Sequence, residues 1–510
     1  MGRLPTLMKS AGVNLKYLVF FVAFLLAVFL RFWNLAIAPY YEWDEPVYTS
    51  IGAHVAQTGT PQVKTEIGFH EPYYLYHPPF HFLMLGEWFS RFGSSIEAAR
   101  ILSASLSTLL LVILFFFLIT YDEGRDGAAL LALFLVGMDG WIVYSNRVAW
   151  IENAMMPIGI MGLWVYHSAL KAEKAQYWRF ITAGILLAAA CIYKHVGLYF
   201  LLTIPICWLI DGRRNFKAHL ALALAGAGVV LIYLLFMYVV YGDYFLQHYQ
   251  VQIQRTFGMV RSRGVVESLD HLVSAVTGNY RIYAGMMVTA LFAGGLFLRK
   301  PILAIRHLSM EPLRTNSLLF SCVTAALLFF GSISLKIPHY YFMVLVPLYA
   351  FASVEAAELA RRSVKWRQAV MVVVPLILLA NLVTFSSQFA TPPENAGAEL
   401  RQYFDEAVPE DAVVIAEETT GTLIRQPYLK IGRFQRHLYS GNLDKYRPSY
   451  LVTYESITQR PPDNDELHRL IDRSEVLRTF EDFKCKLTVY RIPESLPDLR
   501  RTFGEKGTQP

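Results

Sequence analysis

Long apolar segments separated by short polar loops make up most of the chain before residue 390. Many of these segments run for about 17 to 25 residues, the length with which an α-helix crosses the hydrocarbon core of a bilayer. The pattern predicts a polytopic α-helical membrane protein with about 11 to 13 transmembrane helices. The clearest predicted spans lie at residues 16–36, 98–120, 128–144, 153–170, 179–193, 196–210, 218–241, 283–298, 317–333, 340–357 and 368–388.

A polar loop at residues 38–96 follows the first predicted span and contains several acidic residues but few basic ones. Within it, Pro79–Phe92 is apolar but short, and Gly86 and Glu87 interrupt it. A short, interrupted apolar segment of this kind favours a juxtamembrane helix that lies at the membrane interface rather than a span.

Basic residues occur in alternate loops, as the positive-inside rule requires. Arg3 and Lys9 place the N-terminus in the cytoplasm. The loops predicted to be cytoplasmic contain Lys171, Lys174, Arg179, Arg213, Arg214, Lys217, Arg299, Lys300, Arg306, Arg314, Arg361, Arg362, Lys365 and Arg367. The extracytoplasmic side then contains residues 38–96, 145–152, 242–282, the short junctions at Lys194 and Lys336, and everything after about residue 389.

The composition changes near residue 390, where polar and charged residues become frequent. Short β-like runs at Ala412–Ala416, Pro448–Tyr454 and Lys486–Ile492 alternate with helical stretches. This alternation predicts a small soluble, extracytoplasmic α/β domain at 390–510 after a transmembrane module at 1–389. No catalytic constellation is evident in the small domain, so a structural or substrate-positioning role is expected for it.

The composition agrees with a membrane protein. Of the 510 residues, 55% are hydrophobic, and only 17% are charged, against about 25% in soluble domains. The net charge of +6 is spread over short loops, so it indicates membrane topology rather than nucleic-acid binding. The four cysteines show no spacing typical of a metal site.

Acidic residues adjoin two predicted spans on the extracytoplasmic side. Asp44 and Glu45 follow the first span, and such a pair can supply a general base or ligands for a metal ion. The alternative is an ordinary solvated loop. Glu152 begins a later span, where it could complete a two-acid site or form an interfacial ion pair with Arg147. Arg147 is itself a candidate substrate-binding residue.

Cationic and hydrogen-bonding residues are predicted on the same side. His77 precedes Pro78 and Pro79, which fix a rigid approach to the interfacial helix or simply cap it. Lys194 lies between two spans with almost no loop, where it could bind a phosphate or snorkel to water. The third group is Lys336, His339 and Tyr340; an aromatic belt explains the tyrosine but not an external lysine. Together these groups suit a lipid-anchored phosphate at the interface.

The order of these motifs resembles the GT-C superfamily of membrane glycosyltransferases, in particular the group of lipid A aminoarabinose transferase and the protein O-mannosyltransferases. The resemblance covers about residues 16 to 350. The motifs that carry it are Asp44-Glu45 with Tyr48, Pro78-Pro79, Phe92-Gly93, Ala98-Ala99-Arg100, Glu152, Lys194-x-x-Gly197, and Lys336-x-Pro338-x-Tyr340 followed by Pro347.

The resemblance implies roles for individual residues. It implies that Asp44 is the catalytic base and that Glu152 is the second acid, although the aminoarabinose relatives tend to have Asp there. It places Lys194, Lys336 and Tyr340 near the donor phosphate, and this chain has His77 where some relatives have Lys. The family uses a polyprenyl-phosphate sugar, which agrees with the lack of a nucleotide-binding motif in this sequence.

The sequence therefore predicts an inverting hexosyl- or pentosyltransferase that moves one sugar from a polyprenyl-phosphate donor to a membrane-associated or envelope acceptor. Its predicted location is a bacterial or archaeal plasma membrane. One alternative is an oligosaccharide ligase or polymerase with a diphosphate-linked donor, and another is a transporter, which would place polar residues at mid-membrane. No cofactor is certain, although Asp44 and Glu152 could share a divalent cation. Nucleic acid is not an expected partner.

Overall fold

A computed structural model shows the architecture of the chain. The structure describes residues 15–35, 44–62, 66–67, 73–123, 126–172, 176–212, 215–253, 280–332, 340–389, 396–416, 421–424, 426, 428–430, 447–456, 470–481 and 485–493.

Helices dominate the described part of the chain, and every predicted span coincides with one helix or with a broken pair. The helices are α1 (Leu15–Phe32), α2 (Asp44–Thr58), α3 (Phe80–Phe92), α4 (Ile96–Tyr121), α5 (Asp126–Gly137), α6 (Gly140–Arg147), α7 (Glu152–Lys171), α8 (Tyr177–Tyr193), α9 (Leu198–Asp211), α10 (Phe216–Tyr241), α11 (Asp243–Ile253), α12 (Tyr280–Arg306), α13 (Glu311–Arg314), α14 (Ser317–Ser332), α15 (Tyr341–Arg362), α16 (Val364–Phe389) and α17 (Ala396–Ala407).

Five of the described helices are long and apolar enough to cross a membrane, or six if the bent pair α5–α6 is one span. Four shorter apolar helices accompany them, namely α1, α8, α9 and α14. Large apolar side chains on α10 and α16 are exposed, as expected for surfaces that face lipid. The predicted interfacial segment forms α3, which has 13 residues and is too short to span.

The structure contains two compact units. The first holds the described residues within Met1–Leu35, Leu75–His81 and Arg100–Thr391, and the second those within Ala36–Tyr74, Phe82–Ala99 and Pro392–Pro510.

The first unit is a helix bundle with α15 at its centre, packed against α5, α12, α14 and α16. On one side α8 packs between α7 and α10. The backbones of α8 and α10 approach closely at Gly184, where an added side chain would collide with the carbonyl of Leu222. Small residues permit this approach, as in other membrane helix pairs.

One predicted span is broken in the middle. Helices α5 and α6 meet at an angle of 66° around Asp139. The Asp139 carboxylate accepts hydrogen bonds from the backbone of Trp141 and Ile142 and so caps α6, while the Tyr349 hydroxyl donates to it at 3.1 Å. The Asn381 side chain accepts from the Gly140 N–H at 2.7 Å. These bonds satisfy groups that the break exposes, as burial requires.

The second unit contains a six-stranded sheet in the order β1-β3-β2-β4-β6-β5. The strands are β1 (Glu66–Ile67), β2 (Val414–Ala416), β3 (Tyr428–Lys430), β4 (Tyr450–Ser456), β5 (Glu475–Glu481) and β6 (Cys485–Arg491). The first four strands in that order are parallel, and β6 pairs antiparallel with β4 and β5. Helix α17 covers one face through Leu400 and Phe404. The predicted α/β character of this region is thus correct.

Strand β1 belongs to the loop that follows α1, yet it pairs with β3 far along the chain. In the same unit α2 packs against α3: Gly52 lies over Leu85, and the rings of Tyr48 and Phe82 are 5.6 Å apart. The long loop and the C-terminal segment therefore share one sheet. The predicted domain boundary near residue 390 stays a prediction.

Candidate active site

A buried ion pair joins two of the predicted site residues. Glu152 is the first residue of α7, and its carboxylate accepts a hydrogen bond from the ammonium of Lys194 at the end of α8. Glu152 is 0% exposed and Lys194 is 3% exposed. Because both charges are shielded from water, each one is stabilised mainly by the other. Removing one partner of such a pair leaves a buried, uncompensated charge and lowers the stability of the fold by about 3–5 kcal/mol.

The backbone around Lys194 is fixed by a tight turn. The Lys194 N–H still donates to the carbonyl of Ala190 in α8, and the Gly197 N–H donates back to the carbonyl of Lys194. A Cβ on Gly197 would lie only 2.5 Å from the Ala190 oxygen. The Lys-x-x-Gly spacing thus has a physical reason, because only glycine lets the turn into α9 fold back on the end of α8.

An aromatic ring also lies close to the lysine. The Lys194 Nζ is 5.6 Å from the centre of the Tyr340 ring, directly before α15. A cation at this distance is attracted by the ring, which partly replaces the lost hydration. The structure thus brings together Glu152, Lys194 and Tyr340 from three separate helices.

His81 on α3 belongs to the same surroundings. Its Nδ1 lies 3.3 Å from the hydroxyl of Tyr193, next to Lys194 in the sequence, and the side chain is buried. Burial lowers the pKa of His81 to about 3; the charge of Glu152 raises this pKa and that of Lys194 lowers it. The imidazole is therefore neutral at physiological pH, and both charges of the ion pair act on it.

Asp44 and Glu45 lie in the other unit, as the first two residues of α2. Asp44 is half-buried and Glu45 is buried. Carboxylates are favourable at this position because the N-terminus of a helix carries partial positive charge. The Thr49 hydroxyl donates to the backbone carbonyl of Glu45 at 2.7 Å and fixes the first turn.

The remaining predicted residues have different surroundings. His77 is half-buried, and the ring of the preceding Tyr76 contacts His248 of α11 at 4.8 Å. Arg147 is buried and donates to the carbonyl of Leu30 at 2.8 Å, a bond that fastens α6 to α1. Lys336 and His339 lie outside the described residues.

Two buried residues, His81 and Arg31, were not singled out from the sequence. His81 lies four residues after His77, but that spacing alone does not reveal its contact with Tyr193. Arg31 is a charged residue near the end of the first apolar segment, and a buried charge in a span is itself a signal of a specific role. Within the described residues, no group of three or more His, Cys, Asp or Glu side chains could hold a metal ion.

Comparison with known proteins agrees with this architecture. A family model described as dolichyl-phosphate-mannose-protein mannosyltransferase matches residues 21–256, which include Asp44, Glu152 and Lys194. A search among curated protein sequences finds no significant match to the chain.

Two solved structures share the fold over most of the chain. ArnT from Cupriavidus metallidurans, solved with undecaprenyl phosphate, has a TM-score of 0.64 at 13% identity, over 95% of this chain and 98% of ArnT. The archaeal oligosaccharyltransferase AglB from Archaeoglobus fulgidus, in complex with an inhibitory peptide and a dolichol-phosphate, has a TM-score of 0.55 at 11% identity, over 87% of this chain and 69% of AglB. At such identities the likeness concerns the fold.

The predicted resemblance to the GT-C superfamily is confirmed, and so is the predicted fold class of a polytopic helical protein with a small α/β region. The family match and the fold together support a membrane glycosyltransferase.

Proposed function

We propose that the chain transfers one sugar from a polyprenyl-phosphate donor to an acceptor at the extracytoplasmic face of a membrane. The observation that carries this proposal is the buried Glu152–Lys194 pair beside Tyr340, in a chain with the GT-C fold. A buried lysine in the short turn between two consecutive membrane helices suits the phosphate of a lipid whose tail stays in the bilayer. The structural neighbours solved with undecaprenyl phosphate or dolichol-phosphate support this donor class.

The reaction is a single displacement with inversion at the anomeric carbon. The acceptor oxygen forms a bond to that carbon, while the bond from the carbon to the phosphate oxygen breaks. The acceptor proton passes to the Asp44 carboxylate, and the lipid phosphate leaves with the electron pair of the broken bond. Asp44 is the general base, and Glu45 beside it is a secondary candidate.

Negative charge grows on the leaving phosphate, so fixed cations lower the barrier. Lys194 is the described cation best placed for this role because it is buried and oriented by Glu152 and Tyr340. Lys336, the second predicted cation, would share the task. The phosphate competes with Glu152 for the same ammonium, so donor binding weakens the resting ion pair.

The base assignment is tested with Asp44→Asn in purified protein reconstituted with polyprenyl-phosphate sugars. We expect transfer to fall by about 100-fold or more, since general base catalysis contributes roughly 10²–10⁴-fold. Binding of the lipid donor should be nearly unchanged. Glu42→Gln is the matched control, because it removes an acid two residues earlier and should leave transfer near the wild-type rate.

Wild-type turnover in Asp44→Asn would remove Asp44 from the mechanism. Offering a diphosphate-linked donor in a parallel assay distinguishes the proposed reaction from that of a ligase or polymerase. Turnover with that donor alone would favour the rival.

A further inference from the structure

Arg31 is a fully buried arginine near the end of α1, and all five of its N–H groups are hydrogen-bonded. Nη1 donates to the carbonyls of Ala27 and Gly137 at 2.9 and 2.8 Å. Nη2 donates to the carbonyl of Val136 and to the side-chain oxygen of Asn146, and Nε donates to that same oxygen at 3.2 Å. Two of these acceptors are the last carbonyls of α5, where the helix dipole favours a cation.

Hydrogen bonds link Asn146 to the turn that immediately precedes Glu152. The Asn146 Nδ2 donates to the side-chain oxygen of Asn153 at 3.0 Å. The Asn153 Nδ2 in turn donates to the carbonyls of Ser145 and Val148 at 2.9 and 3.0 Å. Asn153 thus closes the turn between α6 and α7.

The side-chain amides of Asn146 and Asn153 each have a defined orientation in this hydrogen-bond network. The Asn146 oxygen faces the donors of Arg31, so its NH2 must face Asn153; the Asn153 oxygen accepts that bond, so its own NH2 must face the turn. A buried network in which every partner is satisfied rigidifies its surroundings. Glu152, the neighbour of Asn153, therefore begins α7 from a turn that α1 holds in place.

We propose that Arg31, Asn146 and Asn153 form a positioning relay that aims the Glu152 carboxylate at Lys194. The relay contacts neither sugar nor phosphate; it acts through Glu152 alone. Its importance for transfer rests on the proposed function, whereas its control of the Glu152–Lys194 geometry does not.

The sharpest variant is Asn146→Asp, which is nearly isosteric. The introduced carboxylate still accepts from Arg31, and more strongly, but it cannot donate to the Asn153 oxygen. We expect transfer to fall by about 10- to 100-fold, as a catalytic group displaced by about 1 Å does. In a double-mutant cycle with Glu152→Gln the same substitution should cost less than about 2-fold, because its target is already lost.

A second readout does not depend on activity. Mass spectrometry after treatment with an amine-reactive, membrane-permeant ester measures how accessible Lys194 is. We expect Asn146→Asp to raise its labelling several-fold over the wild type, because the misaimed carboxylate no longer holds the ammonium. Arg31→Lys, which keeps the charge but not the five donors, should raise it as well and serves if Asn146→Asp fails to fold.

Asn381→Asp is the matched control, since Asn381 is also a buried amide but bonds to Gly140 at the other end of α6. It should leave Lys194 labelling unchanged and have the same effect on transfer with and without Glu152→Gln. Equal losses for Asn146→Asp in both backgrounds, or unchanged labelling, would overturn the relay. A wild type that transfers no sugar would instead contradict the proposed function, and the labelling would still decide on the relay.

Discussion

The structure narrows the alternatives that the sequence left open for Lys194. In the sequence it could snorkel to water or bind a phosphate; in the structure it is 3% exposed, so water does not solvate its charge. Its partners include the Glu152 carboxylate and the Tyr340 ring. Under the proposed function, a lipid phosphate competes with Glu152 for this ammonium.

His81 leads to a prediction about stability and pH. Its pKa is about 3 in the folded protein and about 6.5 when the chain unfolds. Between these values the unfolded state binds more protons, so stability falls as the pH falls from 6.5 towards 3, by up to about 1.4 kcal/mol per pH unit. Above pH 6.5 this group has no such effect. In His81→Gln the loss of apparent Tm between pH 7.5 and pH 5 should therefore be smaller than in the wild type.

The exposed His307 supplies the control for that measurement. His307→Gln should keep the pH dependence of the wild type. If His81→Gln and the wild type lose the same apparent Tm over this range, the burial of a neutral His81 is contradicted.

At the scale of elements, the length and hydropathy of the apolar segments were sufficient to predict helices at the spans, since span length depends only on bilayer thickness and on local hydropathy. Helices α2 and α11 lie outside the predicted spans, and they were not predicted from the sequence. The break at Asp139 was not predicted, because the local cap on Trp141 and Ile142 is only part of what holds it; the other bonds come from Tyr349 and Asn381, over 200 residues away. Strand β1 was missed for a similar reason: two residues carry no period, and only pairing with β3 makes them a strand.

The same distinction applies to the candidate site. Glu152 and Lys194 are titratable residues at the ends of predicted spans, and Asp44 lies in the loop after the first span. Their positions made them candidates, and the family resemblance then implied their individual roles. The contacts of His81 with Tyr193 and of Arg31 with Asn146 are tertiary, so no local pattern could indicate them.

The polar groups at the helix break also bear on the transporter hypothesis. A transporter would use half-helix ends to bind its substrate. Here Arg31 donates all five of its N–H groups within the protein, and Asp139 accepts from α6 and Tyr349. These polar groups at the break are thus bonded within the protein.

The turn after α8 gives a prediction at this scale. Gly197→Ala places a methyl group against the Ala190 carbonyl, so the turn must move and take Lys194 with it. We expect a loss of about 1–3 kcal/mol in stability and a clear fall in transfer rate. Gly228→Ala on α10 is the control, because a Cβ there meets open space and alanine favours the helix. Equal behaviour of the two variants in thermal unfolding would refute the role assigned to this turn.

For the whole molecule, the distribution of basic loops predicts the orientation in the membrane. A cysteine at the exposed Ser309 should lie in the cytoplasm, and one at the exposed Thr58 should lie outside. In a background without the native cysteines, a membrane-impermeant maleimide applied to intact cells should label the Thr58→Cys variant only. Labelling of Ser309→Cys but not Thr58→Cys would show the opposite orientation, with the candidate site on the cytoplasmic side.

The most direct test of the central claim is the affinity of the purified protein for polyprenyl phosphate in nanodiscs, which requires no knowledge of the sugar or the acceptor. Glu152→Gln removes the competing carboxylate, so we expect it to bind the lipid phosphate about 10-fold or more tightly than the wild type. The double variant Glu152→Gln with Lys194→Gln keeps a neutral hydrogen-bonded pair and should bind at least 10-fold more weakly than Glu152→Gln alone. Equal affinity in all three proteins would contradict the claim that Lys194 receives the phosphate of the donor.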